Sequence, residues 1–156
     1  MIDEISFKIL KILHEKARIP NVEVARQVGM APSAVLERIR KLEHQGLIDG
    51  YEVRLNPRRF GKSLVAFVQV KTAAKAENEK IAKALSQIPE VQEVHYVAGE
   101  DWYLIKIRAS DTLELNHIVR EKICAIEGVS DTRTSVALAT FKETAQIPIG
   151  EKPWQE

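Results

Sequence analysis

Residues 20–46, Pro-Asn-Val-Glu-Val-Ala-Arg-Gln-Val-Gly-Met-Ala-Pro-Ser-Ala-Val-Leu-Glu-Arg-Ile-Arg-Lys-Leu-Glu-His-Gln-Gly, constrain the fold more than any other stretch. They read as two short amphipathic helices around a tight turn. Pro20 stops what precedes it, and Asn21 is placed as an N-cap whose side-chain oxygen accepts an orphan helical N–H. Val24, Ala25 and Val28 form the first buried stripe, with Ala25 small enough for a neighbouring helix to come close. Gly29 supplies the backbone freedom of the turn. Pro32 suits a first helical position, where no intrahelical N–H bond is lost. Val35, Ile39 and Leu42 recur at helical spacing and face a core. Gly46 ends the second helix where a left-handed residue is tolerated.

The opposite face of that second helix holds Ser33, Glu37, Arg40 and Lys41, with Leu36 and Arg38 on its flanks. In a helix-turn-helix, the N-terminal half of the second helix reaches base edges in the major groove and the basic groups around it hold phosphates. A helical hairpin with a solvated face is the plainer alternative; the turn, Pro32 and the compact helix pair favour DNA reading. The expected DNA-contacting set is Asn21, Pro32, Ser33, Ala34, Leu36, Glu37, Arg38, Arg40 and Lys41. Within it Ser33, Glu37 and Arg40 meet bases, while Arg38 and Lys41 hold phosphate. Residues 3–16 add a third helix whose apolar stripe is Ile5, Ile9, Ile12 and Leu13. Three helices in about 45 residues make a small tri-helical head.

Hydrophobic content of 45% with 29% charged residues is ordinary for a soluble globular chain. No stretch approaches the roughly 18 consecutive apolar residues of a membrane helix, and no basic-then-apolar leader is present. A cytoplasmic protein without a membrane partner is expected. The single cysteine, Cys124, excludes an intramolecular disulfide and is placed in a helical core beside Ile123 and Ile126. His14, His44, His95 and His117 form no i, i+4 pair, so no metal site is expected. Net charge is only +1 over 156 residues, but it is unevenly shared. Residues 1–60 carry 11 Lys or Arg against 8 Asp or Glu, and the remainder 12 against 14. A mildly basic head on a mildly acidic body implies binding through local clusters and several heads acting together.

After Gly46 one connecting strand is expected over 51–55, then a linker, Asn56-Pro57-Arg58-Arg59-Phe60-Gly61. The pattern continues as strand 64–72, helix 77–87, strand 91–98, strand 102–109, helix 113–126 and strand 129–141. Two helix-to-strand junctions echo each other, Ile88-Pro89-Glu90-Val91 and Ile126-Glu127-Gly128-Val129. Two tandem β-α-β halves predict a ferredoxin-like βαββαβ sandwich, an antiparallel sheet with helices on one face. The fold class is therefore α+β: a winged-type helix-turn-helix head (1–50), a connecting strand and linker (51–61), the sandwich (62–143) and an irregular tail (144–156). The uncovered sheet face predicts self-association, most simply as a two-fold dimer.

With both halves placed, the chain resembles the Lrp/AsnC family of bacterial and archaeal transcription regulators. The resemblance covers about residues 2–142. It is carried by 17–25, by Leu36-Glu37-Arg38-Ile39-Arg40-Lys41-Leu42-Glu43, by Gly46-Leu47-Ile48, by Val97-Ala98-Gly99-Glu100-Asp101 and by Gly128-Val129-Ser130-Asp131-Thr132-Arg133-Thr134. It implies homodimers assembling further, commonly into octamers, on double-stranded DNA that is bent or wrapped. It also implies a small effector, often an amino acid, bound between dimers, and no other cofactor. Matching positions put the recognition helix at 32–45 and the effector loop at Gly99, Glu100, Asp101, Trp102 and Tyr103, with Asp131, Thr132 and Thr134 contributing.

Two positions depart from the family's pattern. Ala31 stands where a capping serine is usual, at a cost of roughly 1 kcal/mol to the recognition helix. The loop usually reads Gly-Asp-aromatic-Asp, and here Trp102 stands in place of the second acid. From the residues alone, Trp102 and Tyr103 fit either an effector pocket or an oligomer interface. Glu100 and Asp101, adjacent on an extended loop, point opposite ways and do not make a catalytic pair. No phosphate loop or Ser-His-Asp arrangement is present. The expected function is thus sequence-specific, effector-tuned regulation at DNA by a protein that is not an enzyme. An architectural DNA-wrapping protein with little sequence preference is the alternative. Siroheme decarboxylases resemble the same architecture, but their Tyr-Asn-x-Trp-Phe-Thr segment is not matched by Asp101-Trp102-Tyr103-Leu104-Ile105-Lys106.

Overall fold

The computed structural model describes residues 2–73, 78–99 and 102–153. The chain forms two compact units, one running to Arg54 and resuming at Glu143, the other Leu55–Lys142.

The first unit is the helical head: α1 (Glu4–Glu15), α2 (Asn21–Val28) and α3 (Pro32–His44). Ile9 and Leu13 of α1 meet Val24, Ala25, Val35, Ile39 and Leu42 in one core, with Ile5 and Ile12 half-buried against it. Phe7, absent from the expected stripe, is also buried. Asn21 is not the N-cap of α2. The carbonyl of Pro20 accepts from Glu23 N–H and Val24 N–H at 2.9 and 3.1 Å, so Pro20 occupies the capping position and Asn21 the first helical one. Gly29 takes φ 69°, and both it and Met30 donate to the Ala25 carbonyl, closing α2 into the turn. Gly46, at φ 68°, ends α3 in the same manner, with Leu47 N–H 3.0 Å from the Leu42 carbonyl.

The connecting strand expected over 51–55 does not form, because among the described residues of this chain it meets no ladder partner. The described part of the tail, 144–153, has no regular structure but is tied to this unit. Arg54 Nη2 donates to the Glu143 carbonyl at 2.7 Å, and Gln146 Nε2 to the His14 carbonyl at 2.9 Å.

The second unit opens on a single 3-10 turn, Pro57–Phe60, and continues as β1 (Leu64–Thr72), α4 (Asn78–Ser86), β2 (Val91–Val97), β3 (Trp102–Ala109), α5 (Thr112–His117) and β4 (Val129–Val136). Its sheet has the order β2-β3-β1-β4 with every neighbour antiparallel, as the tandem β-α-β pattern predicts. Ala66, Val68 and Val70 alternate to one face with Tyr103, Ile105 and Ile107. There they pack beneath Ile81, Leu85, Leu115, Ile118 and Ile123 of the helical layer. The echoing junctions are the same turn twice: Val91 N–H donates to the Ile88 carbonyl and Val129 N–H to that of Ile126.

Three expectations are corrected here. The second helix does not run evenly over 113–126 but widens into a π turn at Ile118–Ile123, keeping Ile118 and Ile123 both buried. The last strand stops at Val136 rather than at 141, because the β1 ladder ends at Leu64. Cys124 is exposed rather than core, since the π turn carries it off the buried stripe; its Sγ faces Thr132 Oγ1 at 3.8 Å.

Candidate functional site

Helix α3 buries Val35, Ile39 and Leu42, which leaves the opposite stripe to solvent. Pro32, Ser33, Leu36, Glu37, Arg40 and Lys41 are exposed, and Ala34 is half-buried beside them. Asn21, half-buried in the first turn of α2, lies apart from that stripe in sequence but within the same helix-turn-helix. The N-cap Ala31 has extended backbone (φ −70°, ψ 144°) and makes no side-chain cap, so the first N–H groups of α3 point outward unclaimed by the protein's own cap.

The basic groups of the head divide sharply. Arg38 Nη1 donates to Asp3 Oδ2 at 2.5 Å and to Ser6 Oγ at 2.9 Å, so this guanidinium is part of the head's frame. A phosphate contact by Arg38 would compete with these two partners. Asp3 is the N-cap of α1, and Ser6 N–H donates to its Oδ1 at 2.7 Å. That bond and the Arg38 guanidinium hold the Asp3 carboxyl down to about 2. Arg26 is likewise committed to Glu23 along α2, at 2.6 Å. Among the described residues, no carboxylate engages Arg40 or Lys41. The charge free for a polyanion on α3 is therefore theirs.

The residues expected around the effector loop are sorted by the pleat of the sheet. Gly99 sits at φ 121° in the β2–β3 turn. Glu100 and Asp101 lie outside the described residues. Trp102, half-buried, opens β3 on the face away from the helices, with Lys71 Nζ 5.5 Å and Arg133 Cζ 5.8 Å from its ring centroid. Tyr103 points the other way. It is buried at 4% exposure, its hydroxyl donates to the Asn78 carbonyl at 2.8 Å, and its ring lies 5.2 Å from that of Tyr96. Burial pushes the Tyr103 phenol pKa up, and it acts here as a core residue.

Cross-strand register sets these residues in rows. Lys71 of β1 pairs with Trp102 on one side and Asp131 on the other, so the order across the open face is Trp102, Lys71, Asp131. Val70 likewise lies between Tyr103 and Thr132 on the helix-facing side, and Thr134 pairs with Val68 one step along. Asp131 Oδ1 accepts from Thr132 N–H at 2.8 Å. Asp131 and Thr132 also line a shallow groove of about 460 Å³ with Val119, Arg120, Cys124, Val129 and Ser130. Within one chain, Asp131 thus joins Trp102 across the open face, while Thr132 and Thr134 turn toward the helical layer. Lys71 and Arg133 were missed by the site expectation; period-two alternation puts each on the open face of its own strand, and only the register of the sheet brings them beside Trp102.

A DNA-reading helical head joined to a ferredoxin-like ligand-binding sandwich is the class that these two units define. Residues 2–49 match the winged helix-turn-helix DNA-binding family and residues 65–147 the Lrp/AsnC ligand binding domain. The leucine-responsive regulatory protein of Escherichia coli K12 is 37% identical over 150 residues, spanning 95% of this chain and 92% of its own. A transcriptional regulator of Neisseria meningitidis, solved in complex with L-methionine, superposes with TM-score 0.88 at 30% identity, covering 95% of this chain and 97% of its own. The feast or famine regulatory protein of M. tuberculosis, complexed with L-methionine, gives 0.86 at 30% identity, with 94% and 99% covered. The chain belongs to the Lrp/AsnC family of transcriptional regulators. No described helix is long and apolar enough to cross a membrane.

Proposed function

We propose that this regulator reads DNA through the exposed stripe of α3, with Ser33, Glu37 and Arg40 at base edges and Lys41 on phosphate, and that an amino acid tunes it. The observation that carries the reading is the division of α3: one face buried in the head, the other presenting Arg40 and Lys41 without acidic partners among the described residues. A dimer sets two such helices one helical turn apart on a pseudo-palindromic site. The open sheet face, where Phe67 is 40% exposed beside half-buried Trp102 and Leu104, is the surface that a second copy covers. Assembly of dimers beyond that stage brings several heads to one duplex.

The effector reading is supported by the methionine complexes of two structural relatives and by the row of Trp102, Lys71 and Asp131. A zwitterion needs a cation for its carboxylate and an acid for its ammonium, and this row offers both beside an apolar ring. Gly99, Glu100 and Asp101 complete the candidate loop.

The test is a competition footprint. Arg40→Ala should narrow the ratio of selected-site to random-sequence binding by roughly tenfold, as expected for one lost base contact. Lys41→Ala should weaken both duplexes alike. An unchanged ratio for Arg40→Ala would remove its base-reading role. For the effector, Trp154→Phe leaves Trp102 as the sole tryptophan. Its emission is then followed against methionine, leucine and the remaining amino acids.

A further inference from the structure

We infer that the turn Pro57–Phe60 is a second phosphate-binding surface of this protein, taking the backbone phosphates of double-stranded DNA. It rests on the DNA-binding reading of the head but uses none of its residues. Residues 54–62, Arg-Leu-Asn-Pro-Arg-Arg-Phe-Gly-Lys, hold four basic side chains and no acid. The flanking two are spoken for within their own units: Arg54 donates to the Glu143 carbonyl, and Lys62 is ion-paired with Glu114. Among the described residues the middle two, Arg58 and Arg59, are exposed and no carboxylate pairs with either.

The turn that carries them is rigidly built. Asn56 Oδ1 accepts from Arg58 N–H at 3.1 Å, and its carbonyl accepts from Arg59 N–H at 3.0 Å. Lys62 N–H closes back on the Pro57 carbonyl at 2.8 Å, with Gly61 at φ 64°. Pro57 pre-sets its own backbone. Both arginines therefore project from a fixed base, which lowers the ordering cost of binding. The guanidinium fork matches phosphate oxygens in a way an unstructured basic linker does not.

Charge supply points to nucleic acid as the occupant. DNA affinity scales with the number of phosphates neutralised, and the head has Arg38 and Arg26 already committed to its own carboxylates.

The experiment uses the full chain and measures fluorescence anisotropy on a long random-sequence duplex from low to moderate salt. Three variants are compared: Arg58→Ala with Arg59→Ala, Arg58→Lys with Arg59→Lys, and Lys41→Ala. Losing two phosphate contacts per chain should lower the slope of log affinity against log salt by roughly 1.8 for each chain on the duplex. The loss should accordingly be at least about tenfold larger at 50 mM than at 200 mM salt. The lysine pair should keep most of the slope, because the charge survives. Lys41→Ala reports the head's own contact, so a silent turn is distinguishable from a head that does not bind. An unchanged slope in the alanine pair overturns the inference. If assembly mass by light scattering falls at the same time, the arginines belong to a contact between copies instead.

Discussion

The guanidinium of Arg38, at the middle of the third helix, lies 2.5 Å from the carboxylate of Asp3, the N-cap of the first. One ion pair therefore joins the start of the head's framework helix to the flank of the third helix. Its acid is held down to about 2 from an ordinary 3.8. A depressed carboxyl stabilises the fold above its ordinary value and loses that contribution as pH falls through the folded one. Head stability should therefore decline between about pH 3.8 and about pH 2 with a component that Asp3→Asn abolishes. The pair is part-exposed, so solvent screening keeps its own share small. Loss of the cap in Asp3→Ala should cost about 1 kcal/mol in a urea titration.

Arg38→Ala separates framework from phosphate contact. The expected result is a lower urea midpoint for the head with little change in the salt slope of DNA binding. A slope reduced by about 0.9, with stability intact, would return Arg38 to the phosphate set.

Ala31 has the backbone of an N-cap and lacks the side chain of one. Ala31→Ser should therefore stabilise α3 by about 1 kcal/mol, read as a raised melting temperature. Binding to random DNA should stay nearly constant, because no charge changes.

The turn of the helix-turn-helix depends on Gly29 at φ 69°, where a side chain would meet no neighbouring atom within 4 Å. Any penalty there comes from the backbone alone. Gly29→Ala should cost about 1–2 kcal/mol, and Gly29→Asn distinctly less, since asparagine tolerates the left-handed region. Equal losses for the two would mean that crowding rather than φ is the cause.

Tyr103 and Trp102 are neighbours in sequence and opposites in the sheet. Tyr103→Phe removes the bond to the Asn78 carbonyl and should cost about 1 kcal/mol of domain stability. The response of Trp102 emission to an amino acid should survive that change. Asp131→Asn should instead weaken the response by roughly tenfold, as loss of one charge-assisted contact implies. A response abolished by Tyr103→Phe and untouched by Asp131→Asn would reverse these two assignments.

Local chemistry in the sequence determined the head and the order of the sandwich. Pro20, Gly29, Pro32 and Gly46 punctuate the helices where steric rules require them, and alternation along 64–72 and 102–109 marks both central strands. The repeated junction before Val91 and Val129 was legible because the same short backbone turn recurs there. Only tertiary structure decided what depends on partners distant in the chain. A run over 51–55 reads as a strand, yet a strand requires a neighbour that the described residues of this chain do not offer. The contact of the Arg38 guanidinium with Asp3 and Ser6, 35 and 32 residues away, likewise comes only from folding. Cys124 reads as core until a π turn rotates it outward. The row of Trp102, Lys71 and Asp131 exists only through strand register, a long-range pairing that local periodicity does not encode.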